Sequence, residues 1–258
     1  MLPGDVPLFS VVMTPTERPR RTALVVCHSY FEMKMFQGTE LSLLRQAAEI
    51  GYPGIYVQVP GMGDSHGATT DCLVEDRVAA VLLAADHVLE ASDADRICFV
   101  GARFGAAIAL LAATRCNATA GVALWDPTLR GDDYWRELRR FERVVGAIRG
   151  RRTADPDDEL ATHGRTGTVG FPVTQQQRDD LRTIDAIHGR PRLAIDALVV
   201  GLNDAQLRPK VRQLEPLLGA IETATLSGPR PRHLIHLRIA DAQGSIQPTV
   251  SWLQRTLP

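Results

Sequence analysis

The chain has 258 residues, 45% of them apolar and 23% charged, which is enough for one large α/β domain with an insertion or for two modest domains. Its formal charge of -1 offers no general attraction for nucleic acid or for an anionic membrane surface. No apolar run approaches the roughly 20 residues of a membrane-spanning helix, and the N-terminus, MLPGDVPLF, lacks the pattern of a secretory signal.

The cysteines give no sign of a metal site or of a disulfide framework. None stands in a Cys-x-x-Cys spacing, and two lie within apolar, strand-like runs. They are Cys27, Cys72, Cys98 and Cys116. Scattered cysteines of this kind are typical of buried free thiols in a reducing compartment. We therefore expect a cytoplasmic protein without a metal ion, and the sequence suggests no cofactor.

From Thr22 onward, short apolar runs alternate with longer segments of helical periodicity. The runs predict strands at 23–28, 54–60, 96–101, 121–127, 193–201 and 222–228. The periodic segments predict helices at 40–50, 75–91, 104–115, 133–149, 172–186, 209–221 and 249–257. Because the strands are almost continuously apolar, the alternation predicts an α/β fold: a mostly parallel central sheet with helices on both faces.

The composition changes between Arg130 and Arg192, where the chain becomes charged and rich in arginine, with frequent Gly, Pro and Asp. This segment is predicted to be partly helical and partly irregular. We therefore expect a core formed by 1–129 and 193–258, with 130–192 inserted as a small helical cap. The arginines between 136 and 152 alternate with acidic residues, which favours a solvated helix face over a nucleic-acid surface.

The third predicted strand leads into the turn GARFG (101–105), and an alanine-rich helix follows at once. A strand, a turn with small residues on either side and a buried helix are the context in which Gly-x-Ser-x-Gly holds a nucleophilic serine. Arg103 stands at the central position of this turn. An arginine is always protonated and has no acceptor lone pair, so it cannot attack a carbonyl.

Five segments together resemble the α/β-hydrolases, and more narrowly the exosortase-system-associated hydrolases of bacterial biosynthetic clusters. They are VVCHSYFEMK (25–34), GYPGIYVQVPGMGDSHG (51–67), FVGARFGAAIALLA (99–112), ALWDPTLRGDDYWRELRR (123–140) and VGFPVTQQQRDDLRTIDAI (169–187). The resemblance covers about 24–192, and some members of the group also carry arginine at the elbow. It implies the α/β-hydrolase fold and is less informative about the reaction.

The resemblance places Arg103 at the position of the nucleophile. A guanidinium there can hold a carboxylate, phosphate or enolate with its bidentate fork, or it can form a structural salt bridge to a nearby Asp or Glu. Both interpretations stay open. The oxyanion hole would then use the backbone N–H of Phe104 and that of Ser29 or Tyr30. The residues implied to contact substrate are His28, Glu32, Trp125 and His236, although a histidine at position 28 is also typical of a loop anchor.

The acid and the base of the family follow later strands. By resemblance the acid is Asp204, in GLNDAQ, and the base is His233, in PRPRHLIHL. A histidine oriented by an aspartate is a general base near neutral pH. The ending differs from the usual Gly-x-x-His-Phe, so His236 remains an alternative base. Ser29 is the one candidate for a relocated nucleophile.

The sequence therefore favours an α/β-hydrolase-fold enzyme without a serine nucleophile. A His/Asp base and the Arg103 cation would act on an acylated small molecule or biosynthetic intermediate, by elimination, cyclisation or water-mediated hydrolysis. One alternative is a non-catalytic protein that binds an acyl group or an acyl carrier protein, and another is an ester or thioester hydrolase with a relocated nucleophile. The expected partner is a small acyl or ester substrate, with no nucleic acid and no membrane. An acyl carrier protein is a second candidate partner, and a homodimer is left open.

Overall fold

The computed structural model describes residues 1–2, 6–16, 18–30, 33–148, 150, 154–168, 170–226 and 243–258. Its strands are β1 Ser10–Met13, β2 Thr22–Cys27, β3 Gly54–Val57, β4 Arg96–Ala102, β5 Thr119–Trp125, β6 Arg165–Thr168, β7 Phe171–Thr174, β8 Asp196–Gly201 and β9 Ile221–Thr225. Its helices are α1 Met33–Glu49, α2 Val74–Glu90, α3 Gly105–Ala113, α4 Gly131–Ile148, α5 Pro156–His163, α6 Gln175–Thr183, α7 Asp204–Leu214 and α8 Ile246–Thr256. None of the helices in these ranges is long and apolar enough to cross a bilayer.

Seven strands form one sheet in the order β1-β3-β2-β4-β5-β8-β9. The six strands from β3 to β9 in this order run parallel, and β1 pairs antiparallel with β3 at one edge. The predicted mostly parallel sheet is confirmed. The edge strand β1 was not predicted, because its four residues are only half-buried and form too short a run to stand out.

Both faces of the sheet carry a hydrophobic core, as the apolar strands predict. Alternate residues of β2 point to opposite faces: Val25 and Cys27 pack with α2 and α3, whereas Leu24 and Val26 pack with α1 and α8. Every residue of α3 is buried, as expected of a helix that is apolar all round. The sheet is thus a rigid support, and the loops at the carboxyl ends of its strands are where a site is expected.

The segment 130–192 lies between β5 and β8 and comprises α4, α5, the hairpin β6–β7 and α6. Helix α4 agrees with the prediction for 133–149. The hairpin β6–β7 lies where irregular chain was expected. Its second strand, Phe171–Thr174, includes the first three residues of the predicted helix 172–186, so the observed helix begins later, at Gln175. Thr174 explains that boundary, because it forms a capping box with Gln177 and so begins α6 after the strand.

Helix α7 begins five residues before the predicted helix 209–221. The sequence interpretation placed Pro209 at the helix start, where proline is common. Instead, Oδ1 of Asn203 accepts from the backbone N–H of Gln206 at 3.0 Å and caps a helix that contains Pro209 in its interior. The helix ends at Leu214, and a turn connects it to β9.

Candidate functional site

The turn between β4 and α3 has the shape of the predicted elbow. Its central residue, Arg103, has a left-handed backbone with a φ of 54°. A Cβ atom on Gly101 would lie 2.2 Å from the carbonyl oxygen of Gly105, and one on Gly105 would lie 2.2 Å from the carbonyl oxygen of Cys27. Both distances are too short for any side chain. Glycine at 101 therefore lets β4 turn tightly into α3, and glycine at 105 lets the turn approach the end of β2.

The Arg103 guanidinium lies between two carboxylates, and the Arg103 side chain is only 12% exposed. Its Nη1 donates to Oδ2 of Asp126 at 2.6 Å, and its Nη2 donates to Oε2 of Glu137. Burial alone would lower the pKa of Arg103, but the negative charges of Glu137 and Asp126 outweigh burial and raise that pKa above its usual value. Arg103 is therefore a permanent cation whose fork is already occupied within the protein.

Asp126, which follows β5, shares the unusual backbone of its partner. Its φ is 42°, and within the described ranges only Arg103 and Asp126 are left-handed without being glycine. The backbone N–H of Arg103 donates to the Trp125 carbonyl at 2.8 Å, and that of Asp126 donates to the Val200 carbonyl at 2.7 Å. Holding a non-glycine residue in the left-handed backbone region costs on the order of 1–3 kcal/mol of folding free energy, and residues strained in this way are concentrated at functional sites. Two strained, ion-paired residues at adjacent strand ends therefore mark the candidate site.

The ion pair lines a cleft of about 600 Å³ between α4 and α7. The charged residues that line it are Arg103, Arg136, Arg140, Lys210, Asp126, Asp133 and Glu137. Lys210 donates from Nζ to Oδ1 of Asp126 at 2.5 Å, so Asp126 is held by two cations. Arg140 is exposed and pairs with no carboxylate of the described chain. The cleft therefore has four basic and three acidic side chains, a composition suited to an anionic ligand.

The three predicted oxyanion-hole residues lie together, and Tyr134 of α4 lies over them. The ring of Tyr134 stacks on Phe104 with a centroid separation of 4.9 Å. Its hydroxyl donates to the carbonyl oxygen of Tyr30 and lies 3.1 Å from Oγ of Ser29. All four side chains are buried, and burial raises the pKa of the Tyr134 phenol well above its usual value. A neutral phenol thus fills the space beside the elbow.

His28 follows β2 but does not line the cleft. Its Nδ1 lies 2.8 Å from Oε2 of Glu40, and its ring contacts Tyr56 edge-on with a centroid separation of 4.5 Å. The His28 and Glu40 side chains are 0% and 4% exposed. These contacts agree with the loop-anchoring alternative for His28. Its predicted contact with substrate remains a prediction.

Neither the Trp125 side chain nor Asp204 lines the cleft beside Arg103. Trp125 is buried and donates from Nε1 to Oγ1 of Thr249 at 2.9 Å, towards α8. Asp204 is exposed in the first turn of α7 and lines a separate cleft of about 330 Å³. The remaining predicted residues lie outside the described residues: Glu32, His233 and His236.

Sequence reasoning missed the residues that surround Arg103. Asp126 had a usable signal, because it lies at the carboxyl end of the predicted parallel strand 121–127, and the carboxyl ends of parallel strands meet at one edge of a sheet. Tyr134 and Glu137 are three residues apart on α4 and therefore share one face of that helix. The sequence analysis predicts a solvated face for the arginines of this helix, and only the tertiary structure shows that the face with Tyr134 and Glu137 covers the elbow.

Comparisons with known proteins agree with this architecture. No protein-family sequence model matches the chain, and no curated protein is significantly similar to it in sequence. Among solved structures, Est1E from Butyrivibrio proteoclasticus, which contains ferulic acid, superposes with a TM-score of 0.66 at 14% identity, over 97% of this chain and 98% of that one. Mouse alpha/beta hydrolase domain-containing protein 10 gives a TM-score of 0.61 at 12% identity, over 97% and 95%. An esterase from Pyrococcus furiosus gives 0.62 at 10% identity, over 98% and 92%. The chain therefore has the α/β-hydrolase fold, and identities this low establish the fold alone.

Proposed function

We propose that the protein binds an acyl compound through its anionic group, in the cleft between α4 and α7, and forms no acyl-enzyme at the elbow. One observation carries the proposal: the residue at the centre of the strained elbow is Arg103, a cation bound to Asp126 and Glu137. A guanidinium has no lone pair with which to attack a carbonyl, but it binds carboxylates and phosphates well. In this proposal Arg103 occupies the place of a nucleophilic serine and serves as an anion anchor.

The surroundings of Arg103 support binding over covalent catalysis. The Ser29 hydroxyl is buried next to the Tyr134 phenol, which gives a relocated nucleophile no support. Both oxygens of Asp126 accept from cations, one from Arg103 and one from Lys210, so this carboxylate belongs to the ion pairs that line the cleft. A cleft with more basic than acidic side chains remains for the ligand.

Calorimetric titration with monomethyl succinate tests the anion anchor, because this probe carries one ester and one carboxylate. Arg103→Met is expected to weaken binding at least about tenfold, the loss that accompanies removal of one charge-assisted hydrogen bond. Arg96→Met, which removes an exposed arginine at the other end of β4, should bind like the wild type. The uncharged dimethyl succinate should not bind. Equal affinity of Arg103→Met and wild type would refute the proposal, as would labelling of the wild type by a fluorophosphonate.

A second candidate function is a reaction that needs no nucleophile, and the strain at Arg103 and Asp126 favours it, since such strain is characteristic of active sites. His233 would remove the proton on the carbon next to a ketone. The C–O bond to a β-acyloxy group would then break, and the carboxylate would leave with the electron pair and be held by Arg103. The chain order of elbow, Asp204 and histidine supports this assignment.

Release of acetate from 4-acetoxybutan-2-one tests this second candidate. His233→Ala is expected to lower the rate at least about 100-fold, the usual contribution of a general base. His236→Ala tests the alternative base, and only one of the two variants should show the loss. Equal rates for the wild type and both variants would exclude the eliminative mechanism and leave the binding function standing.

The same proposal includes a biosynthetic setting. The resemblance of five segments to exosortase-system-associated hydrolases supports a small acylated intermediate of bacterial biosynthesis as ligand. The exposed Arg136 and Arg140 at the cleft support an acidic acyl carrier protein as its donor. Binding of an acyl carrier protein should then weaken as salt rises and in Arg140→Ala. Salt-independent binding would contradict this part of the proposal.

A further inference from the structure

The two carboxylates on Arg103 are held in different ways. Asp126 lies directly after β5, on a strained backbone, and each of its oxygens accepts from a different cation. Glu137 extends from α4, and its side chain is 41% exposed, against 27% for Asp126. Besides Arg103, the Thr128 hydroxyl lies near this carboxylate, with 3.4 Å between Oγ1 of Thr128 and Oε2 of Glu137. Of the two carboxylates, Glu137 is the one that a ligand can displace.

The position of Glu137 also shows what the displaced group resembles. Its carboxylate lines the cleft and binds Nη2, one of the two terminal nitrogens of the Arg103 fork. The other nitrogen is already committed to Asp126. A ligand that enters the cleft would therefore bind Arg103 at Nη2, the nitrogen that donates to the Glu137 carboxylate in this structure.

We infer that the ligand's anionic group is a monocarboxylate that takes the place of Glu137 on Arg103, so that Glu137 is a built-in competitor that sets the affinity and the charge selectivity of the cleft. This inference rests on the proposed function and names its ligand class. The charges of the cleft support a monoanion: four basic and three acidic side chains leave one positive charge uncompensated. A dianionic phosphate would add a second negative charge beside Asp126, Asp133 and the displaced Glu137.

When a side chain of the protein competes for a site, the ligand binds only while the site is open. The apparent affinity for the ligand is then the intrinsic affinity multiplied by the fraction of protein in which the site is open. Replacing Glu137 by glutamine removes the negative charge but keeps a side-chain oxygen that can accept from Arg103. Titration with monomethyl succinate at constant ionic strength is therefore expected to show at least about fivefold tighter binding to Glu137→Gln than to the wild type. Glu90→Gln, at the exposed end of α2, removes the same charge far from the cleft and should bind like the wild type.

Acetyl phosphate, which is a dianion at neutral pH, is the selectivity probe. The inference requires that the wild type bind it more weakly than monomethyl succinate, and that Glu137→Gln narrow the difference. Unchanged or weaker binding of monomethyl succinate to Glu137→Gln, or absence of binding to both proteins, would overturn the inference. So would a preference of the wild type for acetyl phosphate. If Glu137→Gln gains no affinity while Arg103→Met loses it, the competitor role fails and the anion anchor survives, which separates the two proposals.

Discussion

At the elbow, a conformation that is unfavourable for arginine is fixed by its surroundings. A non-glycine residue with a left-handed backbone costs on the order of 1–3 kcal/mol. Arg103 keeps this conformation because its amide, its carbonyl and the two terminal nitrogens of its guanidinium are all hydrogen-bonded. The carbonyl accepts from the backbone N–H of Thr128 at 3.0 Å, and the amide donates to β5. The backbone conformation of the turn therefore determines where the Arg103 guanidinium lies.

Gly105→Ala tests how closely the elbow approaches β2. The added methyl group would lie 2.2 Å from the Cys27 carbonyl oxygen, so the turn must shift, and we expect the free energy of unfolding to fall by about 2–4 kcal/mol. Gly38→Ala in α1 is the matched control, because a Cβ there has no neighbour within 4 Å. That control should gain about 0.5–1 kcal/mol from helix propensity. Urea denaturation measures both, and equal effects would contradict the close approach.

Tyr134→Phe tests whether the phenol holds α4 over the elbow. The substitution keeps the stack on Phe104 but leaves the buried Tyr30 carbonyl without this donor, so we expect a loss of about 1–3 kcal/mol in unfolding free energy. Tyr52→Phe is the matched control, since its buried hydroxyl lies 2.7 Å from the carbonyl oxygen of Leu253 in α8 and 2.6 Å from that of Leu257 just after the helix, away from the cleft. Both variants should lose stability, but only Tyr134→Phe should alter the affinity for monomethyl succinate. An identical binding response in the two would contradict the role of Tyr134.

At the scale of elements, the sequence predicts well those segments whose pattern is set by burial alone. The inner strands are apolar runs because both faces are covered, and α3 is apolar all round, so both were predicted near their observed limits. The hairpin β6–β7 is short and partly polar and carries no comparable signal. The start of α7 was misplaced because Asn203 caps the helix before Pro209.

Asn203→Ala tests that reassigned start of α7. The variant removes the side-chain oxygen that accepts from the backbone N–H of Gln206, and we expect it to lower the free energy of unfolding by about 1 kcal/mol. Asn203→Asp retains a capping oxygen and should preserve stability. Guanidinium denaturation of the two variants measures the difference. Equal stability of Asn203→Ala and Asn203→Asp would show that the cap contributes nothing to the helix start.

The candidate site could be predicted only as far as local sequence determines it. The motif around Arg103 gives the strand, the turn and the central cation, since these depend on neighbouring residues. The partners of Arg103 follow β5 and lie on α4, both distant from it in sequence. Because α4 carries several other acidic residues, its sequence gave no reason to single out Glu137. Contacts across elements depend on how helices pack on the sheet, and periodicity alone does not contain that information.

At the scale of the whole molecule, charged contacts hold the segment 130–192 together. Arg139 of α4 pairs with Asp155 and Asp157 at the start of α5, and Arg178 of α6 also pairs with Asp157. The Nε1 of Trp135 donates to the same Asp157 at 2.9 Å. Helices α4, α5 and α6 are thus joined by one network of carboxylates and guanidinium groups. Because α4 carries Tyr134 and Glu137, this network also determines how the elbow is covered.

Acidification should loosen this network, and the sign follows from the carboxylates. The hydrogen bond from Arg139 lowers the pKa of Asp155 from its usual 3.8, although partial burial opposes the shift. A carboxyl group whose pKa is lower in the folded protein stabilises the fold fully above its unfolded value, and the effect disappears as the pH falls through the folded value. The free energy of unfolding should therefore decline below about pH 4, and it should decline less steeply in Asp155→Asn. Urea titrations from pH 7 to pH 2 measure these slopes. The control Asp93→Asn, at an exposed position between α2 and β4, should lose stability with the same slope as the wild type. If Asp155→Asn also has the wild-type slope, the Arg139 contact does not govern acid stability.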